Sequence, residues 1–125
     1  MSYVYLIGIG GAGMSALARY YHLKGCNVSG YDRSHNMYTD ELEQLGIAIH
    51  YDSDATWLET APMTPDNTLV IYTPAIPHDH PELCYLRSHH FRVLKRAEAL
   101  GVIAESYRTP VSYTHLRAHE TDQYL

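Results

Sequence analysis

Tyr3-Val4-Tyr5-Leu6-Ile7-Gly8-Ile9-Gly10-Gly11-Ala12-Gly13-Met14-Ser15 is the stretch that decides the fold. Its first half is β-branched and aromatic, and short enough for a buried strand. Its second half opens a helix expected over residues 12–24, with Met14, Leu17, Ala18 and Tyr21, and Tyr20 beside them, at three- and four-residue spacings. Between the two, Gly8, Gly10 and Gly13 stand in the spacing G-x-G-x-x-G. Gly8 permits a tight turn, Gly10 lets backbone approach a phosphate with no Cβ in the way, and Gly13 lets the helix lie close to the sheet. The N–H groups of the first helical turn then face an anion, which a helix end favours by about 0.3–1 kcal/mol. A strand before and a helix after is the context that separates this motif from a chance glycine cluster.

The alternation continues outward. Strands are expected over residues 27–31, 47–50, 69–72 and 92–94, and helices over 39–45, 81–90 and 97–107, with a weaker segment at 54–59. Thr39 is the expected N-cap of the second helix, Gly25 and Gly46 are stops, and Pro81 takes the favoured first-turn position. Strands alternating with helices imply a parallel sheet with right-handed crossovers: an α/β, Rossmann-like domain of about five strands with flanking helices. Ligands of such sheets lie at the carboxyl ends of the strands, at the switch point. Asp32 ends the second strand, 19 residues after Gly13, where an acid commonly accepts ribose hydroxyls; the alternative is a cap for the Arg33-Ser34-His35-Asn36 turn. The motif implies a nucleotide, and one nucleoside with a diphosphate suits a chain that holds little more than one mononucleotide half.

Composition bounds the function. The chain has 125 residues, 46% hydrophobic and 18% charged, enough for a packed core. Its 9 Lys and Arg against 14 Asp and Glu give −5, which argues against non-specific nucleic-acid binding. No apolar run reaches the roughly 20 residues of a membrane span, no basic leader precedes an apolar stretch, and Cys26 and Cys84 make no disulfide framework. A cytoplasmic domain, with neither membrane nor nucleic acid as partner, is expected.

Gly8-Ile9-Gly10-Gly11-Ala12-Gly13-Met14-Ser15 is more specific than the general fingerprint and resembles the opening of the Mur ligases. Val28-Ser29-Gly30-Tyr31-Asp32, Tyr72-Thr73-Pro74-Ala75-Ile76 with His80-Pro81-Glu82-Leu83, and Lys95-Arg96-Ala97-Glu98-Ala99-Leu100 are similar to further stretches of that family, in order, over roughly residues 3–108. The double glycine with Met-Ser favours the alanine-adding members. The resemblance implies an N-terminal UDP-binding domain over residues 1–108. It implies that Gly10, Gly11, Ala12, Gly13, Met14 and Ser15, with Gly8 at the turn, hold the diphosphate of UDP-N-acetylmuramate. Asp32 then lies near the ribose, and Thr73, Pro74, Ala75 and Ile76 line the pocket. For the full-length family it implies ATP, Mg²⁺ and L-alanine, and a ligase that joins alanine to the lactyl carboxylate in peptidoglycan synthesis. No catalytic residue and no metal ligand is expected in this chain.

The chain departs from the family where an ATP-binding loop should follow. After Arg108-Thr109 it reads Pro110-Val111-Ser112-Tyr113-Thr114-His115-Leu116-Arg117, with no Gly-Lys-Thr anywhere. ATP-dependent ligation by this polypeptide alone is therefore not expected. Residues 109–125 are similar to translated sequencing-adapter DNA and are expected to be an artefact or a disordered tail; a genuine variable tail is the alternative.

Other residues are set aside. His78, His80, His89 and His90 lack the carboxylates or cysteines of a metal-ligand spacing and are expected to be solvated or capping. Cys26 and Cys84 are expected to be buried and inert. Arg96 either reaches a phosphate or a carboxylate or pairs with Glu98 or Glu105. The 12 tyrosines read as packing, with Tyr31 placed beside the base. Two rivals stay open: an NAD-binding domain of an oxidoreductase, and a stand-alone, non-enzymatic nucleotide-binding protein.

Overall fold

Five short strands alternate with helices and all pair in parallel. A computed structural model describes residues 2–52 and 55–106; the expected tail, 109–125, lies outside the described residues. The elements in order are β1 (Tyr3–Ile7), α1 (Ala12–Leu23), β2 (Asn27–Tyr31), α2 (Met37–Gln44), β3 (Ala48–His50), a short 3-10 helix (Thr56–Thr60), β4 (Thr68–Tyr72), α3 (Pro81–Ser88), β5 (Arg92–Lys95) and α4 (Arg96–Ser106). The sheet order is β3-β2-β1-β4-β5. The expected Rossmann-like α/β sheet is therefore the observed one. Lateral growth reverses at β1, so the carboxyl ends of β1 and β4 form the switch point.

β1 is covered on both faces, which is why it is nearly continuously apolar. Val4 and Leu6 join the core shared with Met14, Leu17 and Ala18 of α1, Leu42 of α2 and Ala99 of α4. Tyr5 and Ile7 point the other way, to Leu58 of the 3-10 helix and to Leu83 and Leu86 of α3. β2 carries a glycine next to its last residue for a steric reason: a Cβ on Gly30 would stand 2.6 Å from the Leu6 carbonyl oxygen and 2.7 Å from Ile9 Cδ1.

Helix ends follow local chemistry, with one correction. Gly25 has φ +88° and Gly46 φ +93°, as the left-handed stops after α1 and α2 require. Thr39, however, is not the N-cap of α2. Asn36 is: its side chain accepts the N–H groups of Tyr38 and Thr39, while Thr39 Oγ1 accepts the Asn36 N–H at 2.8 Å. Thr39 serves as the third residue of that capping box, and α2 starts two residues earlier than the sequence suggests. α3 stops at Ser88 rather than His90, whose φ of 66° is incompatible with a continuing helix. Among the described residues no helix is long and apolar enough to cross a membrane.

Candidate nucleotide-binding site

The loop after β1 and the loop after β4 meet at the switch point. Gly8 has φ +89°, and a Cβ there would stand 2.4 Å from Thr73 Cγ2. Conformation and space both demand glycine. Thr73 is anchored by its own N–H, which donates to the Ile7 carbonyl at 3.2 Å. Ile76 folds back by donating its N–H to Thr73 O at 3.0 Å. Pro74 and Ala75 are exposed beside this contact, and Ile76 is half-buried.

The glycine loop is held by the end of β2. The Tyr31 carbonyl accepts the N–H groups of Gly8 and Ile9 at 2.7 and 2.9 Å. Asp32 Oδ2 accepts the Gly10 N–H at 2.7 Å, Asp32 Oδ1 accepts the Ser34 N–H at 3.4 Å, and Asn36 Nδ2 donates to the Gly10 carbonyl at 3.1 Å. Asp32 thus fixes the loop as well as its own turn. A Cβ on Gly10 would stand 2.7 Å from Asp32 Oδ2, 2.9 Å from Thr39 Cγ2 and 3.0 Å from Asn36 Nδ2. The direction sequence reasoning reserved for a phosphate is filled by this chain's own side chains.

α1 begins at Ala12 with Gly11 as N-cap, no side chain capping it and no acid in its first turn. Its leading N–H groups are left for an anion. Gly11 and Ala12 are exposed and Gly13 is half-buried. Met14 and Ser15 do not present side chains here. Met14 is 1% exposed in the core, and the Ser15 hydroxyl donates to Ala12 O at 2.9 Å. Only their backbone belongs to the loop's electrostatics. Gly13 serves a neighbour other than the sheet: Arg96 Cδ, Nη1 and Nε lie 3.2, 3.4 and 3.7 Å from where its Cβ would be. Among the described residues Arg96 makes no ion pair, and Glu98 instead accepts the Lys95 N–H at 2.8 Å. A guanidinium beside the positive end of a helix is unfavourable until an anion lies between them.

A buried polar cluster under the same edge escaped sequence reasoning. Glu82, in the first turn of α3, is fully buried, and three donors converge on its carboxylate. Tyr5 OH donates to Oε1 at 2.7 Å, Trp57 Nε1 donates to Oε2 at 2.9 Å, and His50 Nε2 lies 2.5 Å from Oε2. Burial, and then the Glu82 charge, push the Tyr5 hydroxyl far above its usual pKa, so it stays a donor. Tyr31 is raised by the same two causes. His80 caps α3 by accepting the Glu82 N–H on Nδ1 at 3.3 Å. These partners lie 77, 32 and 25 residues from Glu82, beyond any local pattern.

Two smaller points follow. Cys84 is exposed and not buried, with its Sγ donating to His78 O at 3.4 Å, while Cys26 is half-buried. Among the described residues one trio of His and acid side chains brings possible metal-ligand atoms within 4.8 Å of one another, His35, Asp40 and Glu43, all exposed on the loop and helix after β2.

The family model described as "Mur ligase family, catalytic domain" matches residues 3–108. The chain belongs to the Mur ligase family. It is 52% identical over 103 residues to a UDP-N-acetylmuramate–L-alanine ligase of Porphyromonas gingivalis, covering 82% of this chain and 23% of that protein. It is 44% identical over 117 residues to the enzyme of the same name from Christiangramia forsetii, covering 92% and 26%. The crystal structure of UDP-N-acetylmuramate-alanine ligase from Thermotoga maritima superposes with a TM-score of 0.74 at 28% identity, over 86% of this chain and 24% of that one. This Mur ligase chain therefore spans about a quarter of the length of the relatives it matches. The resemblance read from the glycine loop and the three later stretches is borne out at the level of the family.

Proposed function

We propose that this chain is the nucleotide-binding domain of a ligase that adds L-alanine to UDP-N-acetylmuramate, over residues 1–108. The observation that carries the reading is the uncapped start of α1, with Arg96 laid over Gly13 and in no ion pair among the described residues. The diphosphate lies against Gly11, Ala12 and Gly13 and the leading N–H groups of α1, with Gly10 held behind them by Asp32 and Asn36, and Arg96 closes on its far side. Asp32 keeps Oδ2 on the loop and offers Oδ1 to the ribose hydroxyls. Thr73, Pro74, Ala75 and Ile76 form the opposite wall. The identity to the Porphyromonas enzyme, whose name gives the substrate, supports the same reading.

The domain positions and does not react. Binding energy from the remote nucleotide holds the lactyl carboxylate in place for chemistry carried by other parts of a longer polypeptide. ATP and Mg²⁺ do not fit the residues present, because no Gly-Lys-Thr loop occurs in the sequence. This chain by itself is inactive as a ligase, and L-alanine meets it only in the longer relatives' setting.

Calorimetric titration of the 125-residue chain with UDP, UDP-N-acetylmuramate and NADH tests the reading. The two uridine nucleotides should bind and NADH should not. Arg96→Met should weaken UDP by about 1–3 kcal/mol and flatten its salt dependence. Binding of NADH without UDP would overturn the assignment of a uridine nucleotide to this site.

A further inference from the structure

We propose that His80 is the residue that selects the base, its Nε2–H donating to a carbonyl oxygen of the uracil ring. The inference rests on the UDP reading above and names a contact that reading leaves open.

The tautomer follows from the cap. His80 Nδ1 accepts the Glu82 N–H, and an imidazole nitrogen that accepts carries no proton, so the proton is on Nε2. Burial lowers the basicity of this ring, which keeps it neutral near pH 7. His80 is only 7% exposed, and its Nε2 is buried with no hydrogen-bond partner among the described residues. A covered N–H without an acceptor is rare, because desolvating it costs about 1–3 kcal/mol.

The surroundings specify the acceptor. The Glu82 carboxylate sits two residues away, fully buried, and repels an anionic oxygen brought to the same place. A neutral carbonyl is thereby favoured over a phosphate. The Tyr31 ring lies 4.8 Å from the His80 ring, with His50 5.7 Å from Tyr31 and Trp57 4.8 Å from His50. Such an aromatic wall suits a planar base. Uracil brings two carbonyl oxygens to it and adenine none. Tyr31 also ties this wall to the phosphate end of the site, because its own carbonyl accepts the Gly8 and Ile9 N–H groups. Tyr31 thus borders both the glycine loop and His80. The segment leading into His80, residues 74–79, is exposed apart from Ile76. Its backbone bonds are local turns, Ile76 N–H to Thr73 O and His80 N–H to Pro77 O. The base reaches the ring by shifting this segment and not the sheet.

His80→Asn keeps the cap and removes the Nε2 donor. The 125-residue chain and this variant are titrated with UDP, ADP and inorganic pyrophosphate. The expected result is UDP binding weakened about tenfold, pyrophosphate binding unchanged, and no preference left for UDP over ADP. Unchanged UDP binding overturns the proposal, and so does an equal loss for pyrophosphate, which would mean a general disturbance of the site. If the wild-type chain binds no UDP at all, the nucleotide reading itself fails, and this one with it. An independent measurement needs no variant. Nitrogen-detected NMR of the wild-type imidazole should show the Nε2 proton become slowly exchanging when UDP is added, and an unperturbed His80 signal in UDP-saturated protein overturns the assignment.

Discussion

Replacing Glu82 by Ala should be among the most damaging single changes to this domain. The Tyr5 side chain is 0% exposed, so its hydroxyl, which donates to Glu82 Oε1 at 2.7 Å, would be left orphaned at about 1–3 kcal/mol. Trp57 and His50 are half-buried and recover part of their hydration, adding about 0.5–1 kcal/mol each. The void left by the side chain adds about 1 kcal/mol more. Relief from burying a carboxylate works the other way, and the sum comes to about 3–5 kcal/mol, the usual cost of removing one partner from a buried charged cluster. A domain of this size holds about 5–15 kcal/mol in total. At about 4–8 °C per kcal/mol, the melting temperature should fall by at least about 12 °C. Thermal and urea unfolding followed by circular dichroism measure it. Glu82→Gln, which keeps an acceptor, should lose about half as much, and Tyr5→Phe about 1.5–3 kcal/mol because its hydroxyl donates to a charged group. In a double-mutant cycle Tyr5→Phe and Glu82→Ala should couple by at least about 1 kcal/mol. A Glu82→Ala variant within about 0.5 kcal/mol of wild type, or a coupling near zero, would refute the convergence of donors described above.

Gly8→Ala should destabilise by about 2–4 kcal/mol, since it combines positive φ with a contact 2.4 Å from Thr73 Cγ2, whereas Gly25→Ala, with φ +88° and open space, should cost only about 1 kcal/mol. Equal losses in urea unfolding would contradict the steric part of that argument. Asn36→Ala removes a cap, half of a capping box and the hydrogen bond to Gly10 O, and should cost about 1–2 kcal/mol while loosening the glycine loop; amide exchange at Gly10 reports the second effect. Stability should also fall on acidification. The folded pKa of His80 is depressed below the unfolded value of 6.5, so the unfolded chain binds the extra proton, and the stability present above about 6.5 is lost as pH drops toward the folded pKa. The slope between pH 7 and 5 should flatten in His80→Asn, and an identical slope would place the titration elsewhere.

Much of the architecture was legible in the sequence because it is local. A β-branched run, a glycine spacing, a 3.6-residue period and a C′ glycine each act over a few residues. They located β1, the glycine loop and α1, and the strand–helix alternation that makes the sheet parallel. The boundary errors have local causes too: Asn36 and Thr39 are both good caps, and only the reciprocal capping box chooses between them. Residue types alone also matched the loop to the Mur ligases.

Tertiary structure decided what those residues touch. Gly10 is glycine because Asp32, Thr39 and Asn36 fill the space beside it, and Gly13 because Arg96 lies across it. Met14 is a core residue although it sits inside the motif. Gly30 answers to Leu6 and Ile9 on the neighbouring strand and its loop. The meeting of Tyr5, His50, Trp57 and Glu82, and the orphaned nitrogen of His80 beside them, depends on sheet order and on where α3 packs. The physical reason is the same in each case. Propensity and spacing act along the chain, while steric exclusion and the pairing of buried polar groups act across it, between residues that only the folded sheet makes neighbours.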